Sequence, residues 1–319
     1  MSEVGQAGWA NAMALASSEW INGSANGTLS EREPMTPEEV RKQTIIALFS
    51  DDYLLERLVL KGGNAIHIAH KLASRSSLDL DFSMAGDFED FDEAKGHLYT
   101  TLQTHFSGIG FVVFDELFVR KPKIRGVDEL PWWGGYELTF KLIRREKYSA
   151  EHLDKMSREA LPIGPRQERE FSVDVSKHEY TASKIQLDFG DYTIPVYTLE
   201  MIVGEKLRAI CQQMPAYAIK GPGTQRARDF YDIHLIVTER GIDMATPENR
   251  TLVKNIFLAK KVPLSFIGNI QEYREFHRGD WPAVINAVSG NLESYDFYFD
   301  FVLELIERLK PLWVEDPPA

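Results

Sequence analysis

Hydrophobic positions along the chain predict strands mixed with helices in the first two-thirds and helices alone in the last third. Apolar residues that alternate with polar ones predict strands at 58–61, 78–83, 111–119, 136–143, 171–175, 184–189 and 193–196. Apolar residues at helical spacing predict helices at 36–49, 51–57, 64–72, 91–106, 151–160, 199–213, 226–240, 247–260, 281–288 and 295–309. The pattern therefore predicts an α+β fold, in which an α/β part is followed by a helical C-terminal part.

Composition changes near residue 35 and hydrophobic spacing changes near residue 199, and these two points divide the chain into three predicted parts. Residues 1–34 are rich in Ser, Gly, Ala and Asn, which predicts a loosely held N-terminal arm. Thr36, Pro37 and Glu39 are typical of the cap, the first position and the capping box of a helix, so the core should begin there. The predicted domains are therefore 1–34, 35–198 and 199–319.

Two aspartates lie in the strand predicted at 78–83. Asp79 and Asp81 are two positions apart, and residues so spaced in a strand point to the same face. Their charges repel each other unless a cation lies between them. A hard divalent cation such as Mg²⁺ suits oxygen ligands and leaves open positions for phosphate oxygens. Taken alone, the pair is more typical of an acidic, solvent-facing strand.

A glycine pair precedes these aspartates. Lys61-Gly62-Gly63 ends the strand predicted at 58–61 and opens a helix. Sixteen positions separate Gly63 from Asp79, which is about the length that a helix needs to return the chain to a neighbouring strand. Glycines let a ligand approach the backbone closely, and amides at a helix start favour phosphate. Alone, this is an ordinary strand-to-helix turn, but with the aspartates it indicates a metal and nucleotide site.

Composition narrows the class of protein. The net charge of −12 disfavours a protein that coats nucleic acid non-specifically. Cys211 is the single cysteine, so an internal disulfide and a C-x-x-C zinc site are excluded, and a reducing cytosol is the expected compartment. The first 27 residues lack the pattern of a signal peptide, and no apolar run reaches the length of about 18 residues that suits a membrane span. We therefore expect a cytoplasmic protein without a membrane partner.

The combined motifs resemble the nucleotidyltransferase superfamily, whose signature is a glycine turn, a helix and a D-x-D pair. They resemble the AbiEii/AbiGii toxin family more closely, because the chain reads Leu60-Lys61-Gly62-Gly63-Asn64-Ala65-Ile66 and then Arg75-Ser76-Ser77-Leu78-Asp79-Leu80-Asp81-Phe82. Asn64 departs from the Thr or Ser that is usual there. The resemblance implies a polymerase-β-like core with a mixed sheet, and a toxin of a type IV toxin–antitoxin system related to phage defence.

A second block of motifs, in the helical part, carries the same resemblance. The chain reads Gly204-Glu205-Lys206-Leu207-Arg208 and later Arg226-Ala227-Arg228-Asp229-Phe230. The resemblance implies that Lys206 binds nucleotide phosphates, that Asp229 is a further catalytic acid, and that the helical domain completes the active site. The residues it implies for nucleotide binding are Lys61, Gly62, Gly63, Asn64, Arg75, Ser77, Arg226 and Arg228. Alone, this block is also typical of a snorkelling lysine and a surface Arg–Asp pair.

Nucleotidyltransferases of this type usually carry a third carboxylate on a later strand beside the D-x-D pair. Asp174 alternates with two valines and is the preferred candidate, and Glu137 and Asp188 are alternatives. The predicted cofactor is one or two Mg²⁺ ions held by Asp79, Asp81 and Asp174. An NTP is the predicted substrate.

The predicted acceptor follows from the resemblance alone, which implies RNA, above all the 3′ end of a tRNA, and allows a cognate antitoxin as a partner. Two basic clusters could bind an RNA backbone if they lie on neighbouring strands, namely Arg120, Lys121, Lys123 and Arg125 and then Lys141, Arg144, Arg145 and Lys147. A charged, solvated strand edge is the alternative. Transfer to a protein or to a small molecule such as an aminoglycoside stays open, as does a non-catalytic nucleotide-binding role.

Overall fold

A seven-stranded mixed sheet forms the centre of the first part of the chain. The computed structural model describes residues 35–72, 79–121, 130–149, 152–164, 167–217, 223–288 and 290–314. Its strands are β1 (Val59–Lys61), β2 (Leu80–Ser83), β3 (Phe111–Lys121), β4 (Gly135–Arg144), β5 (Phe171–Ser176), β6 (Ile185–Phe189) and β7 (Tyr192–Val196). They lie in the order β3-β4-β5-β2-β1-β7-β6. The strands β2 and β5 are parallel, as are β1 and β7, and the other neighbours are antiparallel.

Helices accompany the sheet, and after residue 198 the described chain contains helices and connecting turns but no strand. Before it lie α1 (Pro37–Phe49), α2 (Asp52–Arg57), α3 (Gly62–Asn64, continued by a π-helical turn at Ala65–Ala69), α4 (Phe91–Gly108) and α5 (Leu153–Glu159). After it lie α6 (Leu199–Cys211), α7 (Ala227–Arg240), α8 (Pro247–Ala259), α9 (Arg274–Arg278), α10 (Trp281–Ala287), α11 (Tyr295–Arg308) and α12 (Lys310–Val314). Short 3₁₀ segments occupy Arg145–Lys147 and Leu264–Tyr273. The predicted α+β fold with a mixed sheet is confirmed.

Two stretches of this architecture were missed by the sequence pattern. The segment Leu264–Arg278 and the helix α12 carry no predicted element. The first ten residues of that segment form 3₁₀ turns, whose period of three residues differs from the helical spacing on which the prediction relied. The predicted N-terminal arm, residues 1–34, lies outside the described residues.

The helix α6 is packed on most of its circumference and presents its remaining side to the sheet. The Thr198 hydroxyl accepts a hydrogen bond from the Met201 amide at 3.2 Å and so caps the helix start. Gly204 lets α8 approach, because a Cβ there would stand 2.8 Å from Cδ1 of Ile256. Buried Ile202, Val203 and Leu207 hold the helix in place. From Pro37 onward the chain forms one compact unit, in which α6 places Glu205 against Lys61 of β1.

No helix in the described part of the chain is both long enough and apolar enough to cross a membrane.

Candidate functional site

Four charged residues form a row across four neighbouring strands. Lys61 on β1 is opposite Asp81 on β2, Asp81 is opposite Asp174 on β5, and Asp174 is opposite Glu137 on β4. Residues that are directly opposite in a sheet project from the same face, so the row places three neighbouring carboxylates beside one ammonium group. Asp188, the other alternative to Asp174, lies on the edge strand β6, away from this row.

The two aspartates of the D-x-D pair lie in an environment that disfavours their charge. Burial raises the pKa of Asp81 to about 6, Lys61 opposes this shift, and the carboxylates of Glu205 and Asp174 reinforce it. Burial likewise raises the pKa of Asp79, with a further contribution from the charge of Asp174. A positive ligand at this position would relieve the strain on these carboxylates.

The glycine turn approaches the second aspartate closely. Gly62 has a φ of +69°, a left-handed backbone conformation that glycine adopts readily. A Cβ at this position would stand 2.5 Å from Oδ2 of Asp81, so no other residue fits without displacing that carboxylate. Gly62 and Gly63 both line the cavity described below. The turn therefore exposes backbone, rather than side chain, beside the acids.

Asn64 lies behind the site. Its side chain is fully buried, and its amide Nδ2 donates a hydrogen bond of 2.6 Å to the backbone carbonyl of Asp79. The Asn64 side chain thus ties the start of α3 to the start of the aspartate strand. It is absent from the described lining of the cavity, which includes Gly62 and Gly63.

Lys61 is bound into a buried charge network. Its Nζ donates to Oε1 of Glu205 at 2.6 Å and to Oγ of Ser176 at 3.2 Å. Burial opposes the charge of Lys61, but Glu205, Glu179 and Asp81 outweigh it and raise the lysine pKa. The ammonium therefore stays positive beside Asp81 and is held at a fixed position by α6.

The same network continues to α8. Glu179 accepts hydrogen bonds from Arg208 at 2.5 and 3.2 Å, and Nζ of Lys260 lies 3.4 Å from its Oε1. Although burial opposes the charge of Glu179, Arg208 and Lys61 hold its pKa at about 2. Burial lowers the pKa of Lys260 to about 8. Glu179 and Lys260 were not predicted from the sequence, because neither lies in a recognisable motif.

Lys206 and Asp229 are partners in a second buried cluster. The ammonium of Lys206 donates to Oδ1 of Asp229 at 2.8 Å and to Oδ2 of Asp232 at 2.7 Å. Arg226 Nε donates to the other oxygen of Asp229 at 2.6 Å. Burial opposes the charge of Asp229, yet Arg226 and Lys206 lower its pKa to about 2. The charged side chains of the second motif block therefore form one hydrogen-bonded cluster between α6 and α7.

Lys121 forms a salt bridge with Asp174, the candidate third carboxylate. Its Nζ is 2.8 Å from Oδ1 of Asp174 and 2.6 Å from Oε1 of Glu137. The described members of the two basic clusters do not form one stripe, because β3 and β4 are antiparallel. Arg120 is opposite Tyr136, whereas Lys141 is opposite Phe114, which places the two clusters at opposite ends of the strand pair.

Other basic residues of these two clusters form an ion pair or a hydrogen bond, or lie outside the described residues. Lys141 pairs with Asp115 at 2.7 Å, and the Arg145 guanidinium donates to the Ser107 carbonyl at 2.6 Å. Lys123 and Arg125 lie outside the described residues, as do Arg75 and Ser77 of the first motif block.

A cavity of about 1060 Å³ is lined by residues of both the sheet and the helical part. The sheet side contributes Lys61, Gly62, Gly63, Asp81, Lys121 and Asp174, and the helical side contributes Glu205, Lys206, Arg226, Arg228, Asp229 and Asp280. Its volume is at the upper end of the range for small-molecule sites, so a nucleoside triphosphate fits inside it. The last third of the chain therefore forms one wall of the cavity.

A divalent cation suits the chemistry of this donor set. Asp79, Asp81 and Asp174 offer hard oxygen ligands, and the raised pKa values of the first two reflect burial and mutual repulsion that a cation would relieve. Among the described residues, no three acidic, histidine or cysteine side chains already stand as a closed metal site. The ammonium of Lys121 lies against Asp174 in this arrangement.

A family comparison assigns the class of protein. A model of the family described as nucleotidyl transferase AbiEii toxin, type IV TA system, matches residues 45–303. The protein is a nucleotidyltransferase. It belongs to the AbiEii toxin family of type IV toxin–antitoxin systems, which confirms the resemblance seen in the motifs.

Solved structures give more distant similarities. JHP933 from Helicobacter pylori aligns with a TM-score of 0.44 and 13% identity over 89% of this chain and 94% of that one. An antigenic nucleotidyltransferase-like protein from Paracoccidioides brasiliensis aligns with a TM-score of 0.35 and 14% identity over 72% and 93% of the two chains. The comparison with curated proteins gave no match.

Proposed function

We propose that this protein transfers a nucleoside monophosphate from an NTP to the 3′ hydroxyl of an RNA, with the 3′ end of tRNA as the acceptor. The observation that carries the transfer is the position of Asp81 between Asp174 and the Gly62 turn, in a cavity large enough for a triphosphate. Membership of a nucleotidyltransferase toxin family supports the RNA acceptor.

We assign the metal to the acids of the sheet. Asp79, Asp81 and Asp174 would hold one or two Mg²⁺ ions. When bound, Mg²⁺ polarises the α-phosphate and neutralises charge on the attacking and leaving oxygens. The rest of the site consists of protein groups that position the reactants.

The glycine turn and the basic residues of the helical wall would hold the triphosphate. The backbone at Gly62 and Gly63 faces the cavity, where its amides can bind phosphate oxygens. Lys206 and Arg226 offer N–H donors at fixed positions, because Asp229 accepts a hydrogen bond from each of them. Asp229 thus acts as a positioning residue, since its low pKa makes it a poor proton acceptor.

The arrangement also suggests how the chain is organised and where it acts. We assign nucleotide chemistry to the core, 35–198, and completion of the site to 199–319, because both parts line the cavity. A cognate antitoxin would control the activity, as the family implies. The site of action would be the cytoplasm, where NTPs and tRNA are present.

Labelling of total RNA tests the proposal. The purified full chain is incubated with Mg²⁺, total RNA and each of the four α-labelled NTPs, and we expect label in the tRNA fraction. Periodate oxidation of the tRNA removes the 3′ hydroxyl and should abolish this signal. Label that appears in protein or small molecules, and not in RNA, would contradict the RNA acceptor and indicate a different one.

A pair of matched variants tests the site. Asp81→Asn keeps the shape of the side chain, removes its charge, and should reduce labelling at least about 100-fold. Asp191→Asn makes the same chemical change in the exposed hairpin turn between β6 and β7 and should keep wild-type labelling. Equal labelling by both variants would contradict the assignment of the acids.

A further inference from the structure

Asp280 stands at the start of α10 but does not cap that helix. Aspartate is one of the strongest helix-capping residues, because its carboxylate accepts hydrogen bonds from the first free amides. Here the Asp280 side chain makes no capping hydrogen bond. Its Oδ1 is buried and has no hydrogen-bond partner in the described part of the chain. Asp280 is one of the residues that line the cavity.

Both apolar and polar residues surround Asp280 in the wall of the cavity. Ala283 and Val284, one turn further along α10, line the same cavity wall. Gln225 lines it too, and its amide packs so closely on Gly279 that a Cβ at Gly279 would collide with it. Arg228 also faces the cavity, and its charge acts on Asp280.

Arg226 connects this wall with the aspartate row. Arg226 lines the same cavity as Asp81 and Asp280, and its charge acts on both carboxylates. Asp81 belongs to the sheet side of this cavity and Asp280 to its helical side. A triphosphate held at Asp81 would direct its nucleoside toward the helical side, because a nucleotide carries its charged end and its base at opposite ends.

We infer that Asp280 is the residue that reads the nucleobase of the bound NTP, and that it selects a base with an exocyclic amino group. This inference rests on the proposed function. A carboxylate only accepts hydrogen bonds, so it pairs with amino and ring N–H donors and repels a carbonyl oxygen. A buried acceptor that loses its donor is penalised strongly, which makes such a site selective. Gln225 beside it can donate to the neighbouring ring acceptor.

Nucleotide binding measured without RNA tests the inference. The full chain is titrated calorimetrically with three pairs of triphosphates that differ in an amino group, namely CTP and UTP, ATP and ITP, and GTP and XTP. We expect the amino-bearing member of the preferred pair to bind at least about tenfold tighter. Binding in the absence of RNA assigns the preference to the NTP and separates it from any reading of the acceptor base.

Two variants make the result specific to Asp280. Asp280→Asn has the same shape but can present either an amide donor or a carbonyl acceptor, so the preference should fall below about threefold while triphosphate binding persists. Asp191→Asn should keep the wild-type preference. A preference unchanged in Asp280→Asn, or equal binding of both members of every pair by the wild type, would overturn the inference and leave nucleotidyl transfer standing. Failure of every NTP to bind would instead contradict the proposed function.

Discussion

The backbone of Gly62 and the carboxylate of Asp81 are in direct contact, and the contact exists because position 62 has no side chain. Added there, a Cβ would stand 2.5 Å from Oδ2 of Asp81. The φ of +69° at Gly62 adds a second reason, since residues with a Cβ avoid this conformation. One residue thus fixes both the course of the turn and the position of the acid.

Gly62→Ala should therefore weaken nucleotide binding more than it weakens the fold. The left-handed conformation costs roughly 1–2 kcal/mol for alanine, and the Asp81 carboxylate has to move. We expect NTP affinity to fall at least about tenfold, measured by calorimetry, with a modest loss of stability in urea unfolding.

Gly96→Ala is the matched control for this change. Gly96 is an exposed position within α4, and a Cβ there would meet nothing within 4 Å. The substitution should leave NTP affinity unchanged and stabilise the helix by about 0.5–1 kcal/mol. Equal nucleotide affinity in Gly62→Ala and Gly96→Ala would show that the contact with Asp81 has no part in binding.

The sequence predicted the elements of the site better than their pairing. Strand alternation and glycine spacing suggested that Asp79 and Asp81 lie beside a tight turn, because both features depend on neighbouring residues. The partner of Lys61 is Glu205, and the partner of Asp174 is Lys121, at separations of 144 and 53 positions. Such pairs depend on strand order and helix placement, which local patterns do not encode.

The basic stripe shows the same limit. Arg120 and Lys141 lie on the neighbouring strands β3 and β4, but the antiparallel register of these strands separates the two residues along the strand direction. Asp280 illustrates the opposite case. Its sequence context is typical of a helix cap, and only the structure places its carboxylate in the cavity.

Stability should depend on pH through His277. This residue is fully buried, and its Nδ1 accepts a hydrogen bond from the Arg226 amide at 3.2 Å. Burial lowers its pKa to about 4 from an ordinary value of 6.5. As the pH falls from 6.5 to 4, the unfolded chain binds a proton at His277 before the folded chain does, so stability is lost. The expected loss from this group is about 2 kcal/mol between pH 7 and pH 5.

Urea unfolding at the two pH values measures this slope. His277→Gln should be less stable than the wild type at pH 7, because the buried site is altered, but its loss between pH 7 and pH 5 should be smaller by about 2 kcal/mol. His152→Gln, a change at an exposed histidine, should keep the wild-type slope. Parallel slopes for the wild type and His277→Gln would contradict the assignment.

Lys121 should compete with a divalent cation for Asp174. The ammonium lies 2.8 Å from Asp174 and 2.6 Å from Glu137, and a metal ion bound by Asp174 would have to share or displace it. Lys121→Met keeps most of the apolar stem and removes the charge. We therefore expect Mn²⁺ to bind roughly two- to fivefold tighter, which is the size of a partly exposed ion pair. Calorimetric titration of the full chain with Mn²⁺, without nucleotide, measures the change.

Lys141→Met is the control, since Lys141 pairs with Asp115 at the other end of the same strands and should not affect the metal. Weaker or unchanged Mn²⁺ binding in Lys121→Met would mean that Asp174 is not a metal ligand, and Glu137 would then have to be tested in its place.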